Sequence, residues 1–149
     1  MSSGVTPVAS PEGPELLVVV QCHSVTQAVC PGFLCEHAFQ LREGGFAIYP
    51  KEKPRRYLAI SCGGCPGRSV LRKLKNLLRN LAKREKLEAS AVVVHLSTCI
   101  TRESHHGPRC PHIGYIQRQV AEAGLPCRED SRVSTLSEAK RREGRYQGT

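Results

Sequence analysis

The sequence predicts an α/β protein: a single doubly wound, mostly parallel sheet with helices on both faces and cysteine-rich loops at its carboxyl edge. Three observations lead there. Short apolar runs recur at Leu16–Val20, Tyr57–Ser61 and Ala91–Leu96 without polar alternation, as strands covered on both faces require. Segments of helical periodicity lie between them, and strand–helix alternation implies parallel strands. Each run is followed at once or shortly by a cysteine, namely Cys22, Cys62 and Cys99. Right-handed crossovers put every strand's carboxyl end on one edge, where such folds bind ligands.

The elements follow in order. Residues 1–14 are small and polar, and read as a flexible leader. They lack the basic and apolar regions of a secretory signal, and no apolar run nears membrane-spanning length. A cytoplasmic protein without membrane contact is expected. A helix is predicted from just after Cys30 to Phe39 or Leu41. Gly44–Arg56 is ambiguous: Phe46–Tyr49 could be a strand, whereas Pro50, Pro54 and the lysines around them favour a loop. The clearest helix follows Pro66, with Val70, Leu71, Leu74, Leu77, Leu78 and Leu81 on one stripe and basic residues on the rest. A third helix should follow Cys110, carrying Ile113, Ile116 and Val120 and stopping near Gly124, a good C-terminal residue. Leu125–Cys127 reads as the start of a short last strand, and residues 129–149 as a polar, basic tail, helical or disordered. The functional domain is then 15–128.

Eight cysteines in 149 residues carry the functional signal. Without a secretory signal, they point to metal or redox chemistry rather than disulfides. Cys30, Cys65 and Cys110 each precede a proline. Proline favours the first helical position, so each of these thiols is expected at a helix N-cap, where the dipole favours a thiolate. In Cys62-Gly63-Gly64-Cys65 the two-residue spacing lets both sulfurs face one ion, and the glycines permit positive φ and close backbone approach. The same spacing also suits thiol–disulfide exchange. Cys35 is a ligand or a buried core thiol in equal measure. Cys127 reads as structural. His95 either orients the site or binds metal, and His112 is a ligand or a hydrogen-bond donor behind one. His23, His37, His105 and His106 read as surface residues, the last two flanking the crevice.

The net charge is +9, and the basic excess persists between Glu15 and Cys127. This leaves room for an acidic partner on the basic helix face, although such a face is usually just solvated. Nucleic acid is disfavoured, because no aromatic residue interleaves with that face. Phosphate-binding loops, the Ser nucleophile elbow and the HExxH zinc helix are absent.

Between Leu16 and Gly124 the chain resembles the CGGC domain family. The matching stretches are Cys22, Cys30-Pro31-Gly32 with Cys35, Ser61 to Gly67, His95 to Ile100, and Cys110-Pro111-His112-Ile113. The resemblance implies a metal-binding domain, with zinc suggested by the Cys and His residues. It implies that Cys22, Cys30, Cys35, Cys62, Cys65, Cys99, Cys110, His95 and His112 form one pattern. The leader, the basic tail and Cys127 fall outside it.

Three readings follow. The first is a metal-binding protein, most simply zinc, since four thiolates saturate a tetrahedral ion. The first-choice ligands are Cys62, Cys65, Cys99 and Cys110, with Cys22 next and Cys30, Cys35 and His112 in reserve. The second is an iron–sulfur protein, with four cysteines holding the cluster. The third is a thiol enzyme of disulfide exchange or sulfur transfer, with Cys65 attacking and Cys62 resolving.

Overall fold

The computed structural model describes residues 13–104 and 107–146. Nearly all of the leader, together with His105 and His106, lies outside the described residues. Four strands form one sheet: β1 (Leu16–Gln21), β2 (Arg56–Ser61), β3 (Val92–Leu96) and β4 (Cys127–Glu129), in the order β2-β1-β3-β4. All three pairings are parallel. Register sets Val20 beside Ile60 and Leu96, so the strand ends are level and the residues after them share one edge.

Alternation within the strands divides the core. Leu16, Val18, Val20, Val92, Val94 and Leu96 face one way. They are covered by α3 (Ser69–Glu85), through Val70, Leu74 and Leu81, and by α5 (Ile113–Glu122), through Ile113, Ile116 and Val120. Leu17, Val19 and Val93 face the other way, against Ala38 and Phe39 of α2 (Phe33–Leu41) and against Phe46 and Tyr49. The sheet is therefore doubly wound, as its unbroken apolar strands require. Gly124 follows α5 at φ +83°, and Leu125 N–H returns to the Val120 carbonyl, a left-handed helix stop that glycine permits.

The helix starts differ from expectation. None of the three cysteine–proline pairs supplies an N-cap. The N-caps are Gly32, Arg68 and His112. Gly32 and Gly67 sit at φ +83° and +99°, outside the helical region, and insert a turn between each proline and its helix. A further short helix, α1 (His23–Ala28), starts directly after β1 with Cys22 as its N-cap. No strand forms over Phe46–Tyr49: Gly44–Phe46 is a 3-10 turn that buries Phe46 and Tyr49 under the sheet. The end of the chain is partly helical, as α6 (Thr135–Arg142), with Ser134 as a true N-cap whose hydroxyl accepts from Ser137 N–H. A short α4 (Thr98–Thr101) completes the order. No helix among the described residues is long and apolar enough to cross a membrane.

Candidate functional site

Strand order reverses between β1 and β3, and the crevice beyond the carboxyl ends of two such strands is the usual ligand position of a doubly wound sheet. Cys22 leaves β1 there, and Cys99 lies in α4 just beyond β3. Cys62 leaves the neighbouring β2. All eight cysteines are free thiols.

The seven edge cysteines fall into two neighbourhoods. In the first, Cys110 is pushed up by burial, opposed by the N–H of His112, with like charge from Cys22, Cys65 and Cys62 adding to the rise. Cys22, Cys62 and Cys65 are therefore all within electrostatic reach of Cys110. Backbone donors face two of them: His23 N–H donates to Cys62 Sγ and His112 N–H to Cys110 Sγ, each at 3.3 Å. Such bonds favour the thiolate. Cys62 is buried and Cys65 exposed. Because α3 starts only at Ser69, its dipole does not act on Cys65 as an N-cap would.

The second neighbourhood holds Cys30, Cys35 and Cys99. Burial pushes the Cys99 thiol up to about 11, opposed by the Ser97 hydroxyl and the Cys22 N–H. Burial also raises Cys35, opposed chiefly by the Ser131 hydroxyl, with Cys30 adding to the rise. Ser131 Oγ lies 3.1 Å from Cys35 Sγ and accepts from Thr98 N–H at 3.2 Å. Gly32 N–H donates to Cys30 Sγ at 3.3 Å. Cys22 links the two neighbourhoods, since its charge is felt at both Cys99 and Cys110. The first-choice ligand set thus divides: Cys62, Cys65 and Cys110 stay together, whereas Cys99 belongs with Cys35. Cys127 stands apart against the α3–α5 core, raised to about 12 chiefly by burial.

By donor type the edge suits a soft metal ion, being rich in thiols with N–H groups behind them. By spacing it is open: among the described residues no three His, Cys, Asp or Glu side chains are grouped to hold a metal. His95 does not join the thiols. Its side chain faces the α2 side, fully buried, with Nδ1 3.0 Å from the Asp130 carbonyl and Nε2 2.8 Å from the Tyr49 hydroxyl. Of its two readings, bracing survives: both ring nitrogens are occupied. What it braces is the turn after β4, where Ser131 reaches Cys35 and Asp130 binds Arg102.

Several neighbours of the site carried no sequence signal. His23 stands beside the CGGC turn, with Nδ1 3.0 Å from Ser61 Oγ, and not free on the surface. Lys73, on the otherwise solvated basic face of α3, donates from Nζ to the Ser61 carbonyl at 2.7 Å. Ser97 Oγ lies 2.8 Å from Cys99 Sγ. Serines beside strand ends have no periodicity to mark them. His23 alone had a clue, its place directly after Cys22.

The CGGC domain matches residues 16–131. The chain is similar to the uncharacterized protein MJ0582 of Methanocaldococcus jannaschii, 28% identical over 104 residues that span 66% of this chain and 70% of that protein. It is also similar to the uncharacterized protein MJ0766 of the same organism, 32% identical over 65 residues, 44% of this chain and 82% of that one. No solved structure matches. With the match covering most of the chain and every edge cysteine, the chain belongs to the CGGC domain family.

Proposed function

We propose that the chain binds one metal ion, zinc, through Cys22, Cys62, Cys65 and Cys110. The observation that carries this is the position of Cys110 within electrostatic reach of Cys22, Cys62 and Cys65 at the switch-point edge, with backbone N–H groups donating to Cys62 and Cys110. Four thiolates complete a tetrahedral zinc site. Bringing them onto one ion requires the exposed Cys65 to turn inward, and the Gly63–Gly64 pair supplies the backbone freedom. The thiols must lose protons on binding, so affinity rises with pH. Free thiols also suit the reducing cytoplasm, the proposed location. The exposed basic residues of α3 leave an acidic partner as a further proposal.

The test is metal and acid-labile sulfide content of the full chain purified without oxygen, followed by zinc titration. One zinc per chain, lost in Cys62→Ser and Cys110→Ser but kept in Cys127→Ser, is expected. Iron with matching sulfide would replace zinc by a cluster. A chain that binds neither metal would overturn the proposal and return the thiols to exchange chemistry.

A further inference from the structure

The second neighbourhood of thiols opens into a cavity of about 70 Å³, room for a few waters or one small ion. Cys30, Cys35 and Cys99 line one side. Arg132, Ser137 and Arg141 line the other, and all three lie beyond the family match, which stops at residue 131. The thiol wall thus comes from the shared domain, and the cationic wall from this chain's own terminal segment.

Arg141 is the informative residue. Its side chain is only 6% exposed. Nε donates to Glu138 Oε1 at 2.9 Å, and Nη1 donates to the Glu103 carbonyl. Nη2 is buried with no partner among the described residues. An unpaired buried guanidinium nitrogen costs free energy unless something accepts from it. The nearby carboxylates are engaged elsewhere as well: Arg102 binds Asp130 and also Glu138. Arg132 adds a second guanidinium to the lining. Burial keeps Cys35 and Cys99 in the neutral thiol form, so the opposite wall does not repel an anion.

We propose that this cavity binds a small free oxyanion, of the phosphate or sulfate kind, once the Arg141 guanidinium turns its unpartnered Nη2 toward it, beside Cys30, Cys35 and Cys99. A guanidinium with donors to spare matches such an anion, and the serine hydroxyls of the lining can donate to its remaining oxygens. None of the four proposed zinc ligands lines this cavity, although the Cys22 N–H reaches Cys99 at its edge.

The test follows alkylation of individual cysteines by a neutral maleimide in the full chain as purified, with its metal content recorded. Inorganic phosphate is compared with chloride at equal ionic strength. Cys35 and Cys99 should be protected saturably, about fivefold once phosphate exceeds its Kd severalfold. Cys127, outside the cavity, should be unaffected. Arg141→Gln should abolish the protection. Because Arg141 also holds Glu138, Leu34→Trp provides a second variant: Leu34 lines the cavity from α2, on a different element from Arg141, and a larger ring there is meant to fill the space. It too should abolish the phosphate effect, and it decides the matter alone if Arg141→Gln loses helix. Unsaturable protection, equal protection of Cys127, or protection that survives in Leu34→Trp would overturn the site. The metal record keeps this outcome distinct from failure of the zinc proposal.

Discussion

Replacing His95 by glutamine should flatten the acid side of the stability curve. The ring is fully buried between the Asp130 carbonyl and the Tyr49 hydroxyl. The carbonyl can only accept, so Nδ1 carries a proton; in the neutral ring that burial favours, Nε2 then accepts from the Tyr49 hydroxyl. Burial lowers its pKa to about 4 from an ordinary 6.5, with the Asp130 carbonyl opposing and the Arg128 charge adding to the drop. Below about pH 6.5 the unfolded chain takes up this proton and the folded chain does not. Stability is thus fully present above that pH and is lost as pH falls toward 4. One pKa unit is worth about 1.4 kcal/mol, so the loss at about pH 5 is roughly 2 kcal/mol. Urea unfolding of wild type and His95→Gln at about pH 7 and about pH 5 measures it. The variant starts less stable, having broken a buried pairing, but its drop between the two pH values should be smaller by about 2 kcal/mol. Carboxylate titrations are common to both proteins and cancel. Equal drops would refute the reasoning, because they would mean that His95 titrates alike folded and unfolded.

The two glycines of the central motif should respond unequally to alanine. A Cβ on Gly63 would lie 1.9 Å from Ser69 Oγ, at φ +82°, whereas one on Gly64 would meet nothing closer than His23 Cδ2 at 4.0 Å. Gly64→Ala should cost only left-handed strain, about 1–2 kcal/mol. Gly63→Ala should cost about 1 kcal/mol more, because it drives Ser69 off the Cys62 carbonyl, which it reaches at 2.9 Å; urea unfolding with equal costs would count against this. Leu74→Ala, at a fully buried position of α3, should cost about 2–5 kcal/mol by the same assay.

Much of the fold was legible because it rests on local pattern. The runs at Leu16 and Val92 are strands buried on both faces, as their apolar side chains require, and the stripe from Val70 to Leu81 is a helix because its spacing closes one face. The run at Tyr57 is a strand too, but at the sheet edge and largely exposed rather than covered on both faces. The helix starts were misread because proline admits more than one setting. After Cys30 and Cys65 a glycine at positive φ follows the proline and turns the chain before the helix begins. His95 could not be assigned from its position at a strand end, because its partner Tyr49 comes from an irregular segment far along the chain that packs under the same sheet face.

The sequence by itself determined the parallel α/β architecture and the placing of Cys22, Cys62 and Cys99 just beyond strand ends on one edge, since strand direction follows from alternating strands and crossovers. Only the tertiary structure decided how those cysteines divide. Cys99 stands with Cys35 and not with Cys62 because side-chain neighbourhood depends on which loops meet across the β1–β3 crevice, and spacing along the chain carries no record of that. Likewise Ser131 and Arg141, in a stretch that reads as a polar tail, become buried neighbours of the thiols once β4 closes the sheet and turns the chain back over the edge.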